Sequence, residues 1–307
     1  MEITTEILNK IGSTSQTVKW FKKSFPSEKA SLKDVIIKMH EDGMMYNLYD
    51  NLQKVLCSFD IADFKKYLQS CHDAIEELTK DNPIYDEYEI IANAENSFNA
   101  KLVNQKISCA TNSFLSKVLS LGKDNEISTN GKGGQFAIKG SANELSLNGM
   151  QNHVANQGDF CRISTNGNNE IICTDGNSCE ISVNGYSEQI LNVGAYSAIS
   201  VNGLSNKVTN KGKSARIGIN GNFTKIDSVG DRVKIGSIGI DSKIKSRGND
   251  VTIVSGGASP EIEAIGNNAV LSITDVDRFK RDKVGLYLLR ILTANAPVLR
   301  SDMLAKT

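Results

Sequence analysis

The sequence predicts a multidomain α+β chain, with an N-terminal α-helical domain, a parallel β-solenoid and a C-terminal capping segment. Three observations predict the solenoid. Seventeen glycines recur at every ninth residue from Gly122 to Gly266, and a large apolar residue stands five positions after each one, from Ile127 to Leu271. Asparagine also precedes alternate glycines, once in eighteen residues, starting at Asn130. An unbroken period of this kind is typical of a repeat architecture.

The asparagine period predicts the size of one coil. Because asparagine marks every second nonapeptide, two nonapeptides make one coil of eighteen residues, and the modulation in threes that a three-sided coil would require is missing. Each nonapeptide is expected to form a short strand and a tight corner, at which glycine adopts a positive φ. Residues 122–273 thus predict a roll of two sheets with about eight coils, about 40 Å long at ~4.8 Å per coil.

The apolar series predicts a thin core between the two sheets. Burial of each aliphatic side chain contributes about 1.5–3 kcal/mol. Positions two residues before or after the central aliphatic should also point inward, and they carry small or weakly polar residues: Cys161, Thr165, Cys179, Val183, Val201, Ala215 and Ile219. Asn156, Asn192 and Asn210 also stand two residues after a central aliphatic. They either form a ladder of amides bonded from coil to coil or lie exposed near a corner.

Residues 1–121 show helical spacing of apolar residues and predict five or six helices that form an N-terminal domain. Pro26 and Pro83 mark boundaries, and Ser31 with Asp34 predicts an N-cap. An amphipathic stretch from about Tyr85 to Leu121 predicts a last helix. Since the open end of a solenoid exposes unpaired strand edges, we expect this helix to cap it.

The tail, residues 274–307, departs from the nine-residue period, because Asp275 stands where the next glycine would fall. It begins with a run of charged residues and becomes strongly apolar from Leu286. We interpret it as a helical C-terminal cap. The alternative is an oligomerisation element that docks on a second copy of the chain.

Composition limits the class of protein. The 307 residues have a formal net charge of zero and no apolar run long enough to cross a bilayer. The first ten residues, MEITTEILNK, do not resemble a signal peptide, so we expect a cytoplasmic protein. The six cysteines form no C-x-x-C pair. Cys161 and Cys179 occupy equivalent positions of adjacent coils, where they are either reduced core thiols or a disulfide.

Several nonapeptides, such as Gly212 to Asn220 (GKSARIGIN), are similar to the G-[DNY]-x-A-x-I-x-S-S units of uncharacterised bacterial and prophage-encoded proteins. The opening segment resembles the short helical module that often precedes such repeats, with VKWF at 18–21 and FP at 25–26. It departs from that module at residues 13–14, where Ser-Thr replaces Ala-Cys. The resemblance implies the architecture and a phage or mobile-element origin, and it implies no established activity.

Candidate catalytic groups are few. The outward acids Glu126, Glu144 and Glu180 recur at eighteen-residue intervals with Arg162 among them, which favours a compensated charge ladder over a pair of catalytic carboxylates. The histidines, His40, His72 and His153, lack the spacing of metal ligands and are expected to be core or solvated residues. We therefore expect a protein that is not an enzyme and that has no cofactor and no metal site.

Charge is polarised along the repeat. Residues 122–190 carry four basic and eight acidic groups, whereas residues 191–250 carry ten basic and four acidic ones. The register predicts that Arg216 and Lys234 share one sheet face and that Lys207, Lys225 and Lys243 share the other. The full candidate surface for a polyanion or an acidic protein consists of Lys207, Lys211, Lys213, Arg216, Lys225, Lys234, Lys243, Lys245 and Arg247, of which Lys211, Lys213, Lys245 and Arg247 are expected near the edges. The alternative is a solvated lysine-rich face that blocks sheet stacking.

Three functions follow from these observations. The preferred one is a non-catalytic scaffold, in which the solenoid presents a repetitive surface and the helical region mediates self-association or recruits a partner protein. The second is a polyanion or nucleic-acid binder that acts through the basic half. The third is a surface adhesin, a tail-associated protein or a glycan-binding protein. No small-molecule substrate is evident in the sequence.

Overall fold

The computed structural model describes residues 1–44, 61–81, 84–85, 89–92, 98–274, 288–292 and 298–300. The chain divides into two compact units. Unit 1 comprises Met1–Gly158 and Ile171–Asp175, and unit 2 comprises Asp159–Glu170 and Gly176–Thr307. Both contain the predicted parallel β-solenoid, in which residues eighteen apart are neighbours on adjacent strands.

The helices that the structure describes belong to unit 1. They are α1 (Thr5–Lys10), α2 (Ser15–Ser24), α3 (Leu32–Glu41) and α4 (Ile61–Leu78). Strands β1 (Glu2–Thr4) and β2 (Lys29–Ser31) pair antiparallel beside them. The predicted N-cap is confirmed, since the Asp34 backbone N–H donates to the Ser31 Oγ at 3.1 Å.

The solenoid of unit 1 has two parallel sheets. Its strands are β3 (Ile84–Tyr85), β4 (Glu89–Ala92), β5 (Asn99–Leu102), β6 (Ser108–Thr111), β7 (Lys117–Ser120), β8 (Glu126–Thr129), β9 (Gln135–Ile138), β10 (Glu144–Leu147), β11 (His153–Asn156) and β13 (Ile171–Thr174). The odd-numbered strands stack in chain order in one sheet and the even-numbered strands in the other. We call these the odd sheet and the even sheet.

Unit 2 repeats this arrangement. Its strands are β12 (Arg162–Thr165), β14 (Glu180–Tyr186), β15 (Gln189–Asn192), β16 (Ala198–Leu204), β17 (Lys207–Asn210), β18 (Arg216–Asn220), β19 (Lys225–Ser228), β20 (Lys234–Ile238), β21 (Lys243–Ser246), β22 (Thr252–Gly256), β23 (Glu261–Ile265), β24 (Val270–Thr274), β25 (Leu288–Leu292) and β26 (Val298–Arg300). Here too the odd and even strands form separate parallel sheets.

The predicted core is confirmed. All seventeen apolar residues of the series from Ile127 to Leu271 are buried, and each described strand places its member opposite the equivalent residue of the next coil, as in the pair Ile181 and Ile199. The small inward residues, such as Cys161 and Ala215, are buried as well. Alternation of sides along each strand keeps the intervening residues outward, so the two sheets enclose a single thin apolar layer.

The amide ladder is also confirmed, and the alternative of exposed side chains is wrong. In unit 2 the Asn192 Nδ2 donates to the Asn210 Oδ1 at 2.7 Å, and the Asn210 Nδ2 donates to the Ser228 Oγ at 3.2 Å. In unit 1 the Asn156 Nδ2 donates to the Thr174 Oγ1 at 2.9 Å. Because these three side chains are fully buried, the bonds between coils satisfy Nδ2 donors that would otherwise be costly to desolvate.

The predicted role of the glycines is wrong at most corners. The positive φ falls two residues after the register glycine, on residues as large as Phe223 (56°) and Tyr196 (61°). The glycines are needed for a different reason. A Cβ on Gly212 would overlap the carbonyl oxygen of Gly194 in the adjacent coil, and the same overlap recurs at Gly221. Glycine thus allows the coils to approach each other at the corners.

The boundary at residue 121 and the helix from Tyr85 to Leu121 are corrected by the structure. Strands β5, β6 and β7 occupy this segment and pair in register with the coils that follow. Ala100, Cys109 and Val118 take the inward position of the apolar series. The solenoid therefore begins before Gly122, and the nine-residue register continues there without its glycine and with smaller core residues.

The expectation of a helical tail is wrong for its described residues. Strand β25 pairs in parallel with β23, and β26 pairs in parallel with β24, so these residues extend the two sheets of unit 2. Whether the tail caps the sheet or binds a second copy stays a prediction.

Of the two alternatives for Cys161 and Cys179, the structure has reduced core thiols. Cys71, Cys109, Cys161, Cys173 and Cys179 are buried and not disulfide-bonded. Cys57 lies outside the described residues.

Candidate binding surface

One face of the solenoid in unit 1 is covered by the helices of the same chain. Helix α4 packs across strands β7, β9 and β11 of the odd sheet. Ile75 of α4 is buried with the outward residues Leu119 and Ala137 of two of these strands. The expectation that a helix over residues 85–121 caps the open end of the solenoid is wrong, because the described residues of that segment form strands. Helix α4, which precedes it, lies on a sheet face.

Polar contacts fix the direction of α4 across the strands. Near its start, the Lys65 Nζ lies 3.3 Å from an oxygen of Asp175, which follows β13. The Tyr67 hydroxyl is hydrogen-bonded to the His153 Nε2 of β11 at 2.7 Å. Near its end, Glu76 pairs at 3.5 Å with Lys101 of β5. The helix thus runs along the stacking direction of the strands and crosses them one after another.

All three histidines take part in this helix–sheet packing. Burial lowers the pKa of His72 and of His153 to about 3 and about 4, and burial also lowers the pKa of His40, at the end of α3, to about 4. The nearby Lys139 adds to the effect at His72 and Lys117 adds to it at His40. At neutral pH all three histidines are therefore uncharged rings, with His72 and His153 in the core and His40 partly buried.

The outward face of the odd sheet in unit 2 carries a row of lysines. Lys207, Lys225 and Lys243 are direct neighbours on β17, β19 and β21, as the spacing predicts. The row ends at Glu261 of β23, whose carboxylate lies 2.7 Å from the Lys243 Nζ. The register thus brings together three like charges, and the last of them forms an ion pair with Glu261.

Two further candidate cations of this face are also paired. The Lys245 Nζ lies 2.9 Å from Glu263, and the Arg247 guanidinium lies 2.7 Å from Asp227. Lys245 belongs to β21 and so lies on the sheet face, which corrects its expected place at an edge. Lys211 and Lys213 lie outside the strands at a corner, as expected. Pairing with acids reduces the net positive charge that this face presents.

The even sheet of unit 2 carries a trough, which is an open cavity of about 640 Å³ that crosses strands β12 to β22. One side is formed by the first outward residue of each strand: Arg162, Glu180, Ala198, Arg216, Lys234 and Thr252. The floor is formed by the residue two positions later, which is Ser164, Ser182, Ser200, Gly218, Gly236 and Val254. An adjoining cavity of about 450 Å³ continues to Asn202, Asn220 and Ile238 on the other side.

Charge within the trough is uneven. The Arg162 Nε lies 3.3 Å from a Glu180 oxygen, which agrees with the predicted charge ladder. Arg216 and Lys234 are neighbours on β18 and β20, and both are exposed. In the part of the chain that the structure describes, neither has a carboxylate within ion-pair distance. The trough thus contains one compensated pair and one pair of adjacent positive charges.

The glycines of the trough floor differ from those at the corners. A Cβ on Gly218 or Gly236 would meet no atom within 4 Å, and neither residue has a positive φ. Glycine in a strand weakens the strand and often marks a close approach of another group. Neither coil packing nor backbone conformation requires glycine at these two positions. The effect of the two glycines is to leave the floor of the trough without side chains there.

Sequence reasoning did not single out two buried acids of unit 2, Glu170 and Glu188. They lie eighteen residues apart, and the Glu170 backbone N–H donates to the Glu188 Oε2 at 2.8 Å. Burial raises the pKa of Glu188 to about 8, although the bond from the Glu170 backbone opposes this shift. The signal was present in the sequence, because each acid stands two positions before a core isoleucine and so points inward.

Glu188→Gln is expected to remove a pH-dependent term from the stability of unit 2. The folded-state pKa of Glu188 lies above the ordinary value, so the folded state holds the proton more tightly than the unfolded state. The unfolding free energy of the wild type is therefore highest below about pH 4.5 and falls as the pH rises toward 8, by at most ~1.4 kcal/mol per pH unit. The variant should match the wild type at pH 4.5 and exceed it at pH 8. Thermal unfolding at both pH values checks this, with the exposed Glu180→Gln as the control. A wild-type stability that does not fall over this interval would contradict it.

Fold and surface together define the chain as a two-sheet parallel β-solenoid protein with helices docked on one sheet face and an open trough on another. Comparisons of the chain with protein-family models, with curated proteins and with solved structures gave no significant match. No helix among the described residues is long and apolar enough to cross a membrane.

Proposed function

We propose that this protein is a non-catalytic scaffold that recruits a partner through the outward face of its solenoid. The trough of unit 2 carries the proposal. It is built from residues of six neighbouring even strands held in register, so its shape is set by a rigid stack rather than by loops. Rigid, repetitive surfaces of this kind are what solenoid proteins commonly use for binding.

The covered sheet face of unit 1 supports the same proposal. There, an outward face with small residues such as Ala137 and Ala155 is occupied by helix α4 of the same chain. The strongly shifted titratable groups, His72, His153 and Glu188, lie inside packing interfaces, where they affect stability. In this proposal the helical region is a second recruiting element, and derivation from a phage or mobile element rests on the sequence resemblance alone.

Polyanion binding is the second candidate, and the row formed by Lys207, Lys225 and Lys243 favours it. The ion pairs of Lys243, Lys245 and Arg247 weaken it. Heparin affinity as a function of salt concentration separates the two candidates, because contacts to a polyanion give a steep salt dependence. A loss of heparin binding in Lys225→Glu would favour the polyanion.

A pull-down with the immobilised full chain tests the scaffold proposal. Three proteins are compared: the wild type, a trough-filled variant that combines Gly218→Leu with Gly236→Leu, and the control Thr209→Leu on the odd sheet. Partners are expected on the wild type and on the control and not on the trough-filled variant. Retention of the same proteins by all three would overturn the proposal, and so would retention of none.

A further inference from the structure

We propose that the trough of unit 2 docks an α-helix of a partner protein, and that two carboxylates on this helix bind Arg216 and Lys234. The inference rests on the proposed function and specifies the chemistry of the partner.

Dimensions of the trough fit a helix. Its two sides are four residues apart along each strand, which corresponds to about 13 Å between backbones. An α-helix with its side chains is about 10–12 Å across. From β12 to β22 the trough spans five strand spacings, or about 24 Å, which is the length of about 16 helical residues.

The chain itself contains an example of such packing. In unit 1, α4 lies on an outward sheet face and follows the stacking direction of the strands, from Asp175 to Lys101. It packs over the small residue Ala137, and its Glu76 pairs with Lys101 of the sheet. A helix on small outward residues, with a helix carboxylate bound to a sheet lysine, is therefore an arrangement that this solenoid already forms.

The positive charges in the trough specify which helix fits. Arg216 and Lys234 lie on adjacent strands, about 4.8 Å apart along the direction that the helix would follow. Their neighbours in the same row, Ala198 and Thr252, are uncharged, so nothing beside them in the row offsets their mutual repulsion. Acidic residues at positions i and i+4 of a helix are about 5–6 Å apart, which matches this pair.

Gly218 and Gly236 provide the space for this contact. They lie two residues after Arg216 and Lys234 on the same strands, on the floor of the trough, and a Cβ at either position would meet no atom within 4 Å. With no side chain there, a helix backbone can approach the sheet closely while its carboxylates reach the two cations. These two glycines therefore belong to the docking surface.

Fluorescence anisotropy with designed probes tests the inference on the full chain. The probe is a labelled 16-residue alanine- and leucine-based helical peptide with glutamates at positions i and i+4. Three matched peptides serve as comparisons: one with lysines in place of the glutamates, one with a central proline that breaks the helix, and one with the glutamates at i and i+2. Heparin is a further competitor.

We expect the wild type to bind the acidic helix at least about tenfold more tightly than each comparison peptide. Combining Arg216→Glu with Lys234→Glu should reverse the preference toward the lysine peptide, and the trough-filled variant should bind neither. The fold of each variant is checked by circular dichroism. Because Gly218 and Gly236 face open space, the filled variant should keep its fold.

Equal binding of the helical and proline-broken acidic peptides would overturn the inference, because an extended polyanion would then suffice. Unchanged affinity in the trough-filled variant would overturn it as well. If the pull-down partners depend on the trough but the acidic helix does not bind, the inference fails and the scaffold proposal stands. If the acidic helix binds but the partners do not depend on the trough, the scaffold proposal fails and the docking site stands.

Discussion

Gly212→Val is expected to unfold the corner of unit 2 at which it lies and to lower stability by at least about 3 kcal/mol. Gly212 has no positive φ, so the effect does not come from backbone conformation. A Cβ at this position would overlap the carbonyl oxygen of Gly194 and would lie 2.9 Å from the Asn192 Nδ2. Relief of that overlap requires separation of two coils, which would also break the amide ladder from Asn192 to Asn210.

The matched control for Gly212→Val is Gly218→Val, which places the same side chain on the same coil. A Cβ at Gly218 meets no atom within 4 Å, and valine favours a strand, so this variant should be as stable as the wild type or slightly more stable. Thermal unfolding followed by circular dichroism, with hydrogen exchange to locate the change, compares the two. Equal stability of both variants would show that close approach of the coils is not what requires glycine.

Acidification is expected to release helices α3 and α4 from the odd sheet of unit 1. His72 and His153 are buried and uncharged, with folded-state pKa values of about 3 and about 4. Since these values lie below the ordinary histidine value of about 6.5, the unfolded state takes up protons first as the pH falls. Stability is therefore full above pH 6.5 and declines below it, by as much as ~1.4 kcal/mol per pH unit for each ring, until the folded-state values are reached.

Hydrogen exchange as a function of pH, corrected for its intrinsic rate, measures this release. Amides of α4 should lose protection between about pH 6 and pH 4. The positive charges of Lys139, which acts on His72, and Lys117, which acts on His40, should promote the release. His153→Gln, which keeps a partner for the Tyr67 hydroxyl, and His72→Phe should each reduce the slope of stability against pH. The slope is the readout, because either variant can also change stability at neutral pH.

An unchanged slope in both histidine variants would contradict this account. Unit 2 provides an internal reference, because Glu188 gives it the opposite pH dependence and its amides should gain protection as the pH falls from 8. Parallel loss of protection in both units would point instead to general acid unfolding.

The repeat of the solenoid could be predicted from the sequence because every coil is constrained by its neighbours. A core residue such as Ile217 lies between equivalent residues eighteen positions before and after it. The sequence period alone therefore predicts how all the coils pack on one another. The role of the glycines was harder to predict. Positive φ and close approach of backbones both predict glycine at regular spacing, and only the structure shows that close approach is the reason at most corners.

The coils before Gly122 and the packing of helix α4 on the sheet could not be predicted, for different reasons. Ala100 and Cys109 are small, and their coils lack the register glycine, so the recognisable sequence pattern starts later than the solenoid itself. Packing of α4 on the sheet depends on contacts between distant segments, such as that of Tyr67 with His153. An available signal was the apolar outward residue Leu119 in a strand whose outward side should face water.

The trough could be predicted in part. The eighteen-residue period placed Arg216 and Lys234 on one face, and the structure agrees. Gly218 and Gly236 fall outside the corner register and interrupt a series that is serine at 164, 182 and 200, so the sequence itself marks the trough floor. Among the described residues no carboxylate lies beside the two cations, and this depends on side-chain positions that only the structure shows.

The most direct test of this account is a disulfide crosslink between adjacent coils in unit 2. With Arg216→Cys and Lys234→Cys, the two Cα atoms lie one strand spacing apart, about 4.8 Å, within the range of about 4.4–6.8 Å in which disulfides form. Mild oxidation should link them within one chain, as read by mass spectrometry of the digested protein. Arg216→Cys with Lys243→Cys, twenty-seven residues apart and on different sheets, should remain unlinked. Efficient linkage of the 216–243 pair, with none for 216–234, would contradict the eighteen-residue coil and the trough that depends on it.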